Sequence, residues 1–94
     1  MQDTYELVPK HDARQSFHGK ALVQIDDAGR KYLTSYGTMV CYLGLDGNLH
    51  RLWRGWSSTT GRHVREFARQ CGLTGDMGKK AWESLEVENL SEPR

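Results

Sequence analysis

From Ala21 onward the chain alternates, with Ala21, Val23 and Ile25 on one side and Leu22, Gln24 and Asp26 on the other. A two-residue period of this kind predicts a strand with one buried face. Asp27-Ala28-Gly29-Arg30 supplies a turn, and Lys31 to Tyr36 is rich in the aromatic and β-branched types that suit a second strand. Gly37 punctuates it. Thr38 to Leu45 is the most apolar segment and predicts the central strand. Asp46-Gly47-Asn48 is a hairpin signal, after which Leu49 to Arg54 returns as a fourth strand ending at Gly55.

The period then changes to that of a helix. Ser57, Ser58, Thr59 and Thr60 offer side-chain oxygens that can cap the orphan amides of a helix start. Val64, Phe67, Ala68 and Cys71 fall at i, i+3, i+4 and i+7, a core-facing stripe on a helix from about Thr60 to Cys71, and Gly72 suits its close. A shorter second helix is expected from about Asp76 to Leu85, with Ala81, Trp82 and Leu85 toward the sheet. The predicted fold class is therefore α+β: a four-stranded antiparallel meander followed by two helices packed on one face. Residues 1–18 read as an N-terminal arm with one short strand at Tyr5–Val8, residues 19–87 as a single domain, and 88–94 as an acidic tail that frays. No internal repeat interrupts this order.

Composition narrows the class. At 94 residues, 37% hydrophobic and 27% charged, the chain has material for one modest core and reads as one folded domain, not a disordered segment. Its wholly apolar runs are too short to span a bilayer, and Met1 to Glu6 lacks the features of a secretion signal. The two cysteines, Cys41 and Cys71, lack metal-type spacing and fall on apolar faces, which predicts reduced core thiols and a cytoplasmic setting.

The net charge of +1 argues against a protein that coats nucleic acid by bulk electrostatics. The distribution is more telling. Residues 50–69 carry Arg51, Arg54, Arg62, Arg65 and Arg69 against Glu66 alone, whereas residues 82–94 carry four glutamates against Arg94. On a helical wheel Arg62, Arg65 and Arg69 lie within roughly 60° of one another, opposite the core stripe. Stability alone does not favour this row. A cation in the first turn opposes the helix dipole by roughly 0.3–1 kcal/mol, and the i,i+4 pair Arg65/Arg69 costs about 0.2–0.5 kcal/mol, with Glu66 expected to offset part by pairing with Arg62 or Arg69.

Such a surface seeks anions. Arginine presents planar, bidentate donors to phosphate or carboxylate, and a helix start adds amides and hydroxyls. The candidate partner-binding set is Arg54, Trp56, Ser58, Thr59, Thr60, Arg62, Arg65 and Arg69. One of Trp53 and Trp56 is expected in the core, leaving the other as an aromatic anchor. Catalytic readings are thinner. His63 and Glu66 have a ligand-like spacing without a third ligand, Ser57 or Ser58 with His63 lacks a nucleophile elbow, and the Ser/Thr run lacks the glycines and lysine of a phosphate-binding loop. The expectation is a non-enzyme without metal or cofactor.

Ser35-Tyr36-Gly37-Thr38-Met39-Val40 and the run from Trp53 to Phe67 resemble a "SYxTxVA … WxGYSxTTxRHxNEF" pattern, and Gly78-Lys79-Lys80-Ala81-Trp82 resembles its later Gly-Lys-x-x-Trp segment. That pattern marks a family of small proteins of unknown function encoded by phages and prophages of Gram-positive and gut bacteria. The resemblance covers about residues 18–86. The chain departs from it at Trp56, Cys41 and Arg65, where tyrosine, alanine and asparagine are common. The resemblance implies a mobile-element setting in a bacterial cytoplasm and assigns no catalytic residue. Together with the arginine row it leads to two expectations: an accessory protein that binds and modulates or inhibits a host protein or nucleoprotein complex, including defence systems such as CRISPR, or a direct nucleic-acid binder.

Overall fold

In the computed structural model the alternating segments form one antiparallel sheet of five strands in sequential order: β1 (Asp3–Glu6), β2 (Ala21–Ile25), β3 (Lys31–Ser35), β4 (Thr38–Leu43) and β5 (Leu49–Arg51). Two helices follow, α1 (Ser58–Gln70) and α2 (Lys79–Glu83). The structure describes residues 3–10, 17–73 and 78–88. His11, the expected second-helix start at Asp76 and the tail beyond Glu88 lie outside them.

The expected count of four strands is corrected by β1. It pairs with β2 in the register Tyr5↔Val23, two residues earlier than the strand expected at Tyr5–Val8. All four of its residues are exposed, so it shows no apolar alternation and is held mainly by its ladder. The chain turns inward just after it. Leu7 is 1% exposed, and its amide donates to the Ala21 carbonyl at 2.9 Å. Phe17, also in the segment read as an arm, enters the same core.

Across the sheet, Val23, Leu33, Cys41 and Arg51 stand in one row on the core face. The register shifts between β3 and β4 at Leu33/Thr34, leaving Val40 as the extra residue. Such a bulge breaks the two-residue alternation, which is how Val40 and Cys41, adjacent in sequence, are both buried. The Val40 carbonyl then accepts from the amides of Leu52 and Trp53, turning the chain away from β5.

α1 lays Val64, Phe67 and Ala68 against this face. Ser57 is its N-cap, its hydroxyl accepting from the Thr60 amide at 3.1 Å. At the other end the Leu73 amide donates to the Ala68 carbonyl. Cys41 is buried and Cys71 half-buried, and no disulfide joins them. Burial pushes the Cys41 thiol well above its ordinary range, as it does that of Cys71 to a lesser extent. α2 is a single short turn that delivers Trp82, 1% exposed, to the core. Beside it the guanidinium of Arg51, 7% exposed, donates to the carbonyls of Trp53, Arg54, Trp82 and Leu85. No helix among the described residues is long and apolar enough to cross a membrane.

Phe67 is the largest α1 side chain in the apolar core. Phe67→Ala is expected to cost about 3–5 kcal/mol, a large part of the roughly 5–15 kcal/mol that holds a small domain folded. Urea denaturation monitored by tryptophan fluorescence measures it, and an unchanged midpoint would refute the core assignment.

Candidate functional site

The capping hydroxyl of Ser57 fixes where α1 begins and therefore which way each later side chain points. Ser58, Arg62, Arg65 and Arg69 follow at i, i+4, i+7 and i+11, and all four are exposed. At 1.5 Å per residue the three arginines span about 10 Å along the helix. Arg54, in the loop before the helix, is exposed too. Among the described residues no carboxylate lies within ion-pairing distance of Arg65 or Arg69.

The remaining members of the sequence-predicted set divide. Thr59 is half-buried. Thr60 turns inward, its hydroxyl 3.1 Å from Ser35 Oγ. Trp56 is half-buried and lies over Gly61, where a Cβ would come within 2.5 Å of the indole. Its ring also meets Trp82 at 6.4 Å between centroids. Trp53 is half-buried as well, so neither is wholly in the core, and neither is the exposed anchor that the sequence suggested; the fully buried tryptophan is Trp82. Arg51, counted with the basic stretch, belongs to the interior. Glu66, which the sequence suggested as an ion-pair partner for Arg62 or Arg69, is 2% exposed and accepts from Gln70 Nε2 at 2.6 Å. The same Gln70 nitrogen donates to the Val8 carbonyl, tying α1 to the chain after β1.

The inner side of α1 is thus unusually polar. Ser35 Oγ stands 2.8 Å from His63 Nδ1 as well as near Thr60. The imidazole meets the rings of Phe17, at 4.5 Å, and Tyr36, at 5.6 Å. Sequence reasoning weighed His63 against Ser57 and Ser58; its partner is Ser35, on another element. The available signal was parity, since Ser35 is two residues from the core residue Leu33. At 2% and 1% exposure, Ser35 and His63 are covered, and the contact anchors the helix to the sheet. Glu66 is likewise committed inward, which removes the pair His63/Glu66 as an open ligand set. Among the described residues no three His, Cys, Asp or Glu side chains gather as a metal site.

These contacts join the two separated sequence motifs, Ser35-Tyr36 with Thr60 to Phe67, into one structural unit. The sequence of a family of unknown function, DUF8033, matches residues 5–84. This chain belongs to that family. No curated protein and no solved structure matches it. The match to DUF8033 begins within β1 and extends past α2, so it takes in the sheet, the buried polar unit and the arginine row together.

In this DUF8033 protein Ser35→Ala would leave buried His63 Nδ1 and Thr60 Oγ1 without the hydroxyl they share. The expected loss is about 1–3 kcal/mol, the desolvation cost of a stranded polar group. Chemical denaturation of the variant checks this, and stability equal to wild type would show that the buried contact contributes nothing.

Proposed function

We propose that this protein is a small, non-catalytic accessory factor of phage or prophage origin. In this reading the outer row of α1 docks on an anionic surface of a host protein or nucleoprotein complex and modulates or inhibits it in the bacterial cytoplasm. Anti-defence action, such as against a CRISPR complex, is one form of this function. The observation that carries the reading is the sorting of α1 itself. Thr60, His63 and Glu66 face inward, and Arg62, Arg65 and Arg69 stand exposed in one row. With the helix starting at Ser58, Arg62 falls in the second turn instead of the first and Arg69 in the last, where the dipole favours a cation. The part of the row that helix stability disfavours is the like-charge i,i+4 pair Arg65/Arg69, which supports a role in recognition. Arginine also carries a large share of binding energy at protein interfaces.

The same row supports a second reading, direct binding of nucleic acid through phosphate contacts. Three contacts predict a log–log salt slope of about −3 on duplex DNA, on the order of 0.9 per phosphate. The two readings therefore part in one experiment. The tagged protein is used to capture partners from host lysate, with and without nuclease and across a salt series, beside the double variant Arg62→Glu and Arg69→Glu. The variant is expected to lose its partner while its melting temperature holds or rises slightly. Capture that survives nuclease favours the protein partner, and capture abolished by nuclease favours nucleic acid. A folded double variant that keeps its partner would move the site away from α1.

A further inference from the structure

The outer face of the sheet carries a second polar cluster, built around a histidine that the arginine row does not involve. His50 lies in register with Tyr42 across β4 and β5, and the rings stack 4.6 Å apart at 9°. His50 Nδ1 is 2.5 Å from Glu88 Oε2, and Nε2 is 3.1 Å from both carboxylate oxygens of Asp46. Ionised carboxylates only accept hydrogen bonds, so both ring nitrogens must bring a proton and the site fits imidazolium. The other oxygen of Glu88 accepts from the Tyr42 hydroxyl at 2.7 Å. Room for the arrangement comes from Gly44, where a Cβ would stand 2.6 Å from Asp46 Oδ1 and 2.7 Å from His50 Nε2.

Glu88 also reaches the sheet through its backbone. Its amide donates to the Arg51 carbonyl at 2.7 Å, and Val87 forms a parallel bridge with Arg51. The segment after α2 is thereby laid along the edge of β5 not used by β4. That edge is otherwise a row of backbone groups of the kind that accepts an added strand.

We propose that His50 is a protonation-operated clasp that holds residues 87–88 on the edge of β5 and releases them when the imidazole loses its proton. Neutral imidazole carries one N–H, so one of the two carboxylates would then face a bare lone pair. Among the described residues the groups facing the ring are Asp46 from the β4–β5 turn, Glu88 from the segment after α2, and Tyr42 from β4; on β5 itself Leu49 and Arg51 point to the opposite face. Partial burial alone would lower the pKa of His50, but hydrogen bonds and charge from Asp46 and Glu88 outweigh it and raise the pKa above the ordinary value. Asp46 is held below its ordinary range, first by the bond to His50. A histidine raised on folding contributes its stabilisation fully below its unfolded value and loses it as pH rises through the folded one. Release therefore lies on the alkaline side of the ordinary histidine range.

The test follows amide hydrogen exchange at Glu88 by NMR from roughly pH 5.5 to 8.5, as a protection factor, together with the ring-proton titration of His50. Protection of Glu88 is expected to fall roughly tenfold as His50 titrates, while the Leu33 amide in the sheet stays protected. His50→Gln removes the titrating group and should make Glu88 protection independent of pH. Glu88→Gln should lower the His50 pKa in the folded protein, a readout that does not depend on release. Flat protection in the wild type, a persisting step in His50→Gln, or an unmoved His50 pKa in Glu88→Gln would each overturn the clasp.

Discussion

A guanidinium holds together the half of this fold that helix propensity could not. α2 has five residues, far below the length at which an isolated helix persists in water, and the loop from Leu52 to Ser57 has no ladder of its own. Arg51 meets both. Its Nε donates to the Trp53 carbonyl at 2.9 Å, Nη2 to Arg54, and Nη1 to Trp82 at 3.2 Å and Leu85 at 3.3 Å. The guanidinium carbon lies 5.0 Å from the centre of the Trp82 ring, adding a cation–π contact. Trp82 in turn donates from its indole to the Gly55 carbonyl at 2.8 Å. Strand end, loop and second helix are joined through one side chain whose planar fork a lysine could not replace.

The arginines of this stretch therefore divide by position. Arg51 is turned inward by the parity of β5, where it donates to carbonyls of the loop before α1 and of the chain at and after α2. Arg62, Arg65 and Arg69 are turned outward by the cap at Ser57 and the apolar stripe of α1. The polar residues between them follow the same logic. Thr60, His63 and Glu66 lie on the arc that meets the sheet and the chain after β1, so their chemistry is spent on fixing the helix. What remains accessible on α1 is cationic, and the proposed function rests on that remainder.

β2 and the core stripe of α1 were legible from apolar periodicity, and β3 and β4 from residue type and the turns that bound them. β1 was not, because Asp3-Thr4-Tyr5-Glu6 buries nothing and is fixed by backbone pairing. The bulge at Val40 hid the parity of β4. The inward arc of α1 was read too narrowly, since counting only Val64, Phe67, Ala68 and Cys71 leaves out buried polar residues whose partners lie 25 or 28 positions away. The arginine row was legible as a row, but Trp56 and Thr60, expected beside it as contact groups, are drawn toward Trp82 and Ser35. Arg51 shares parity with Leu49, which a count of charges along residues 50–69 does not register.

The division of arginines is the central claim, and comparing the denaturation midpoints of Arg51→Lys and Arg65→Lys tests it most directly. Both changes conserve charge, so the comparison isolates hydrogen-bond geometry and burial. Arg51→Lys is expected to lose about 2–4 kcal/mol, because one ammonium cannot serve four carbonyls from three segments. Arg65→Lys should stay within about 0.5 kcal/mol of wild type, as for an exposed side chain. Equal midpoints for the two variants would contradict the account.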